Sequence, residues 1–171
     1  LVFESVRRGF AGFETLAGIP GTIGGAVRMN AGTRLGEISK TVKSVTVLDG
    51  NLKKRIFSKE KIQFGYRKSI FEKKKWIIVN VRFSFKKGNM EKLKETVKDI
   101  LKMRLRTQPR GVYSAGCMFK NAKKNISAGK LIDSAGFKGF RIGDAQVSPV
   151  HANFLVNIGN AKFKEAIRLM K

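Results

Sequence analysis

A chain of 171 residues, 42% of them hydrophobic, can build a core in one large domain or two small ones, and no run of about eighteen apolar residues offers a membrane span. The single cysteine, Cys117, excludes an intrachain disulfide, and one cysteine with one histidine excludes a conventional zinc site, so no metal is expected. The formal charge of +24 is carried by lysines in nearly every segment (52–55, 73–75, 86–87, 92–110, 120–124), which fits a general lysine habit or anionic ligands better than a focused nucleic-acid stripe.

The opening LVFESVRRGF lacks the charged-then-apolar order of a signal peptide, so a cytoplasmic location is expected. Gly18 to Gly32, GIPGTIGGAVRMNAG, follows. Four of its first eight residues are glycine, so it is either a tight turn packed on its own core or a main chain that a ligand approaches closely. It is neither GxGxxG nor a glycine loop ending in GK[ST]. From Thr41 to Leu48, TVKSVTVL predicts a strand with Val45 and Val47 on one side, Asp49-Gly50 a hairpin turn, and LKKRIFS the return strand. Residues 76–85 predict a half-buried strand with Val79, Val81, Phe83 and Phe85 on one face and Asn80, Arg82 and Ser84 on the other. Lys86 to Asn89 breaks this pattern and marks the candidate domain boundary.

Glu91 to Leu105 predicts a helix with Leu93, Val97, Ile100, Leu101 and Leu105 on one face and Glu91 and Glu95 near its positive end. Further on come a short helix near Lys130–Ala135, a turn from Gly136 to Gly143 and a strand from Asn153 to Ile158. At the end Phe163, Ile167 and Met170 fall at helical spacing without a cap after them, and the chain reads as a fragment. Most of the thirteen phenylalanines sit among apolar neighbours and are expected in the core.

Three stretches stand out chemically. In YRKSIF (66–71), Arg67 is either a fork for a carboxylate or phosphate, or a solvated surface arginine. In SAGCMFKN (114–121), small residues leave room around the Cys117 thiol, with Lys120 and Asn121 following; a buried structural cysteine is the other reading. The stretch 128–157 carries the one histidine, His151, and no Ser/His/Asp or Cys/His spacing marks it as a catalytic base.

Taken in order, GIPGTIGGAVRMNAG, YRKSIF, QPRGVYSAGCMFKN and AGKLIDSAGFKGFRIGDAQVSPVHANFLVN resemble the successive motifs of the UDP-N-acetylenolpyruvoylglucosamine reductases, also called UDP-N-acetylmuramate dehydrogenases. These are flavin reductases of bacterial peptidoglycan synthesis. The resemblance implies an α+β fold: part of a vanillyl-alcohol-oxidase-type FAD-binding domain (its second subdomain, 1–87), followed by a C-terminally incomplete substrate-binding domain (88–171). The first FAD subdomain, with its pyrophosphate loop, would precede Leu1, and a catalytic glutamate would follow Lys171. It further implies that NADPH reduces the flavin, that hydride passes from flavin N5 to C3 of a UDP-sugar enolpyruvyl ether, and that a proton is added at C2. Arg67 would stabilise the charge that develops on the carboxylate side. Cys117 would donate the proton from a position held by serine in many relatives. The main chain at Gly18, Ile19, Pro20, Gly21, Gly24, Gly25, Ala26, Met29 and Asn30 would face the flavin ring. Lys120, Asn121, Gln146 and His151 would meet the substrate, with Arg104 and Arg106 near its phosphates. Ala122 stands where relatives usually have proline. The expected partners are the UDP-sugar and NADPH, with no nucleic acid; a basic nucleic-acid-binding module and an inactive truncated relative are the alternatives, and oligomeric state stays open.

Overall fold

The structure, a computed structural model, describes residues 1–122 and 126–171; Lys123 and Lys124 of the last lysine run lie outside them. Helices and strands are mixed along the chain, as an α+β fold requires, and they gather into two compact units, Leu1–Leu101 and Lys102–Lys171.

The first unit begins with helix α1 (Val2–Arg7), strand β1 (Phe10–Ala11), a tight helical turn at Glu14–Leu16 and helix α2 (Ile23–Arg28). A small ribbon of β2 (Gly32–Thr33) and β3 (Gly36–Glu37) follows, and then the main antiparallel sheet, in the order β5-β4-β6, made of β4 (Val42–Leu48), β5 (Lys54–Ser58) and β6 (Ile77–Phe83). Strand β7 (Lys86–Lys87) pairs back on β1, and Gly88 N–H donates to the Gly9 carbonyl at 2.9 Å. The break in the sequence pattern at 86–89 is therefore stitched to the start of the chain. Helix α3 (Met90–Thr107) runs on from it, its first turn closed by the Asn89 side chain, which accepts from Lys92 N–H at 3.0 Å. The division between the two units falls inside α3.

Val45 and Val47 point into the core and are fully buried, as the alternation of β4 predicts. They pack with Phe13, Val27, Ile38, Ile62 and Phe71, and Phe13 meets Phe83 and Phe85 edge-on at 4.8 and 4.9 Å. A second cluster joins α1 to α3 through Val6, Ala17, Leu93, Val97 and Ile100. Leu105, predicted on the same face, is 49% exposed because the cluster ends with the preceding turns.

Strand β6 corrects the simple alternation. Thr46 pairs with Asn80 and Val47 with Ile78, which leaves Val79 as the extra residue of a bulge, exposed, while Ile78 turns inward. The β4–β5 hairpin forms as predicted, but its turn is longer than Asp49-Gly50. Asp49 Oδ1 accepts from the N–H groups of Asn51 (2.9 Å) and Lys53 (3.0 Å), and Leu52 takes the left-handed conformation.

The second unit holds a four-stranded antiparallel sheet in the order β8-β11-β10-β9, made of β8 (Tyr113–Cys117), β9 (Arg141–Ile142), β10 (Ala145–Val147) and β11 (Phe154–Asn157), with α4 (Ala128–Ser134) before β9 and α5 (Phe163–Met170) at the end. Gly136, Gly139 and Gly143 all have positive φ, as the predicted turn needs. At Gly143 (φ 58°) a side chain would be strained, and its Cβ would lie 2.2 Å from the Glu165 carboxylate that caps α5, so that cap would have to move. Phe163, expected on one face with Ile167 and Met170, is instead 78% exposed, and Phe3, Phe119, Phe137 and Phe140 are also exposed; the core takes fewer aromatics than their neighbours suggest.

Candidate active site

The glycine stretch is a turn and then a helix. Gly18 (φ 76°) and Gly21 (φ 126°) occupy the left-handed side that side chains avoid, and they bend the chain into α2. Thr22 caps that helix, its hydroxyl accepting from Gly25 N–H at 3.1 Å. Gly24 and Gly25 are helical: Gly24 lies on Ile78, and a Cβ on Gly25 would crowd the Thr22 hydroxyl at 3.3 Å. Ile19, Pro20, Gly21, Gly25, Ala26 and Met29 line one wall of an apolar cavity of about 260 Å³ whose other side includes Phe13, Leu16 and Ile38. Gly18 and Gly24 are not among its walls, and neither is Asn30, whose side chain is buried (1% exposed).

Arg67 stands at the end of this stretch. Gly65 and Lys68 exchange backbone bonds of 3.0 and 3.2 Å, which puts Tyr66 and Arg67 at the tip of a tight loop, with Arg67 at φ 52°. Ser69 Oγ donates to the Arg28 carbonyl at 2.7 Å, and Arg67 donates through Nη1 to the Asn30 carbonyl (3.5 Å) and through Nη2 to the Gly32 carbonyl. The spacing of YRKS thus matches two anchors on one segment, residues 28–32. The guanidinium also lies 5.1 Å over the Tyr66 ring and 3.8 Å from Glu37 Oε1. Glu37 drew no attention in the sequence because nothing local connects it to Arg67.

In the second unit Cys117 ends β8 opposite Phe154 and is exposed, which removes the reading of a buried structural cysteine. The segment after it is held by Asn153, a residue that the sequence did not single out. The Asn153 carbonyl accepts from Met118 N–H (2.7 Å), its Oδ1 from Phe119 N–H (3.0 Å), and its Nδ2 donates to the Phe119 carbonyl (2.8 Å). Asn153 N–H in turn donates to His151 Nδ1 at 3.2 Å, and the His151 ring meets Phe154 edge-on at 4.8 Å. Burial, aided by the Lys138 charge and opposed by a backbone hydrogen bond, lowers the His151 pKa. His151 is therefore neutral at neutral pH, an acceptor at Nδ1. Arg104 is half-buried, which lowers its pKa, while its attraction to Cys117 opposes that shift.

The remaining predicted residues serve the scaffold as well. Asn121 Oδ1 accepts from Ala128 N–H at 3.0 Å and so fixes the start of α4. Gln146 Nε2 donates to the Gly139 carbonyl at 2.9 Å and straps the glycine turn, two strands away from β8. Lys120 and Arg106 are exposed. The structure thus gathers Arg67 with the glycine stretch in one unit, and Cys117 with Arg104 and the Asn153–His151 pair in the other. Among the described residues no cluster of three metal-ligating side chains occurs, and no helix is long and apolar enough to cross a membrane.

Comparison with known proteins bears out the resemblance. Residues 105–171 match the family model of the UDP-N-acetylenolpyruvoylglucosamine reductase C-terminal domain. The chain is 47% identical over 161 residues to the UDP-N-acetylenolpyruvoylglucosamine reductase of Thermotoga petrophila, covering 94% of this chain and 56% of that protein. It is 42% identical over 162 residues to the reductase of the same name from Chlamydia pneumoniae, covering 95% and 52%. The crystal structure of UDP-N-acetylenolpyruvylglucosamine reductase from Thermus caldophilus matches with a TM-score of 0.89 and 40% identity, over 98% of this chain and 61% of that one. The chain spans about half the length of the curated relatives it matches.

Proposed function

This chain belongs with the UDP-N-acetylenolpyruvoylglucosamine reductases, and we propose that it supplies part of the flavin site and the substrate-side machinery of such an enzyme in cytoplasmic peptidoglycan synthesis. Residues 1–87 form the second subdomain of a vanillyl-alcohol-oxidase-type FAD domain, and 88–171 belong to the substrate-binding domain. FAD, reduced by NADPH, would carry the hydride to C3 of the enolpyruvyl group of a UDP-N-acetylglucosamine ether.

The residues present fit that cofactor. The cavity beside the glycine stretch is lined almost wholly by apolar groups, and its Gly21 corner has open space where a side chain would otherwise stand, so a planar ring can lie against main chain there. Ile19, Pro20, Gly21, Gly25, Ala26 and Met29 are assigned to this wall, and Gly18, Gly24 and Asn30 to the flavin site as the residues of the same stretch beside it. The observation that carries the reading is Arg67: a guanidinium donating to the carbonyls of the same segment that makes the wall. A cation fixed there stabilises charge on a substrate carboxylate without reorganising during the reaction.

Cys117 donates the proton to C2. A thiol has a reference pKa of about 8.5, so it is mostly protonated at neutral pH and is a far stronger acid than a serine hydroxyl. Arg104 beside it favours the thiolate, so activity falls with rising pH earlier than with serine in that place. Lys120, Asn121, Gln146 and His151 contact the UDP-sugar, and Arg104 and Arg106 face its diphosphate.

The test is a half-reaction experiment on the full-length enzyme. The purified protein is expected to be yellow and to bleach with NADPH; Cys117→Ala is expected to bleach equally but leave the enolpyruvyl ether unreduced. Unimpaired turnover by the alanine variant removes Cys117 from the mechanism. A colourless protein with salt-sensitive nucleic-acid affinity supports the basic-module alternative instead.

A further inference from the structure

Asn30 and Arg67 both hold left-handed backbone conformations (φ 47° and 52°), which a residue with a side chain adopts at a cost unless local bonds compensate. At Asn30 those bonds are complete. Its Nδ2 donates to Glu37 Oε2 (2.8 Å) and to the Gly65 carbonyl (3.0 Å), and its Oδ1 accepts from Ser39 N–H (3.2 Å). Gly65 is the foot of the tight loop that carries Arg67, so the Asn30 amide holds the loop from below. The Asn30 carbonyl accepts from Arg67 Nη1 and so holds the loop's tip as well.

Glu37 completes the arrangement. One carboxylate oxygen accepts from Asn30, and the other lies 3.8 Å from Arg67 Nη1. That is too long for the forked pair in which a carboxylate takes two guanidinium donors, so a substrate carboxylate need not displace Glu37 to reach Arg67. The side chains of Arg67 and Glu37 are 21% and 33% exposed, partly withdrawn from water, where a charge without a counter-ion is costly. The glutamate thus offsets the burial of the guanidinium while leaving it able to bind.

We propose that Glu37 and Asn30 are positioning residues that fix the Arg67 guanidinium in place, a role that rests on Arg67 acting on the substrate as described above. Orientation of this kind matters steeply, because a misplacement of about 1 Å at a charge-stabilising group costs on the order of 100-fold in rate. Neither residue touches the substrate in this scheme. Each acts through the arginine.

Two substitutions separate geometry from fold. Asn30→Asp tolerates the left-handed backbone but cannot donate to Glu37 or Gly65. Combined with Glu37→Gln, a donor again faces an acceptor between the two side chains, with polarity reversed and one negative charge conserved. Nitrogen NMR of the isotope-labelled chain reads the guanidinium directly, since a clamped arginine shows slowly rotating Nη signals, assigned by their loss in Arg67→Lys. These signals are expected in the wild-type chain, lost in Asn30→Asp and in Glu37→Ala, and regained in the double variant. In the full-length enzyme Glu37→Ala is expected to slow substrate reduction about 100-fold with reduction of the flavin by NADPH unchanged. Persistence of the guanidinium signals in both single variants overturns the proposal, as does a double variant no better than Asn30→Asp. If Arg67→Lys itself leaves substrate reduction intact, the catalytic reading of Arg67 fails, and the NMR result still decides whether the clamp exists.

Discussion

Arg67 sits in a braced setting: its side chain is 21% exposed, its loop is closed by paired backbone bonds, and its guanidinium donates to carbonyls of the glycine stretch. Cys117 sits at the exposed end of a strand, and the bracing belongs to its neighbours, where Asn153 holds Met118 and Phe119. The contrast follows the chemistry proposed for each. A group that stabilises charge works best when it cannot move, because any reorientation during the reaction subtracts from the stabilisation. A proton donor must approach carbon and be reprotonated afterwards, so it needs an accessible atom on a fixed backbone.

The sharpest way to break this contrast is to remove the donor atom. Cys117→Ala is expected to lower substrate reduction by about 10²–10⁴-fold, the usual contribution of a general acid, with flavin reduction by NADPH unchanged. Cys117→Ser is expected to keep substantial turnover and to move the alkaline fall of the pH–rate profile upward, because the acid form of a hydroxyl persists where a thiol has ionised. Stopped-flow absorbance of the two half-reactions checks both. Arg67→Lys comes next, at about 10²–10³-fold in the same step, since lysine keeps the charge but loses the fixed fork that reaches two carbonyls. A loss confined to the binding constant, with the rate of reduction kept, would show that Arg67 holds ground-state substrate only.

The bracing of the second region can be tested without catalysis. Asn153→Ala is expected to cost roughly 1–3 kcal/mol in denaturant unfolding, because the buried Asn153 side chain makes both bonds to the Phe119 backbone and their loss leaves that N–H and carbonyl without this partner. Thr22→Ala, which removes the cap of α2 below the glycine turn, is expected to cost about 1 kcal/mol. The smallest effect is on pH. The folded-state pKa of His151 is lowered, so the unfolded chain binds the proton more readily. Its contribution to stability is present above about pH 6.5 and is lost as pH falls below that value. His151→Gln should flatten this acid limb in thermal melts; an unchanged limb assigns it to other groups.

Much of the fold was legible because its causes are local. The spacing of Leu93, Val97 and Ile100 specifies one helical face, and Asp49 before Gly50 specifies a reversal through its own side-chain bonds. The bulge at Val79 was not legible, since alternation within β6 carries no information about the register that β4 imposes on it. The site divides in the same way. Arg67, Cys117 and the glycine stretch stand out by composition and by motif order, whereas Glu37, Ser69 and Asn153 look like ordinary polar residues until the chain folds.

What the sequence determined by itself is therefore the list of chemical groups and the elements that carry them: the glycines before α2, the arginine of YRKS, the lone thiol at the end of a strand. Tertiary structure decided which of them are held still. Glu37 reaches Arg67 across thirty residues of chain, and Asn153 reaches Phe119 across a comparable separation, |i−j| of 34. Such contacts leave no periodic trace, because a hydrogen bond between distant residues depends on where the sheets and helices bring them and not on what stands beside them in the chain.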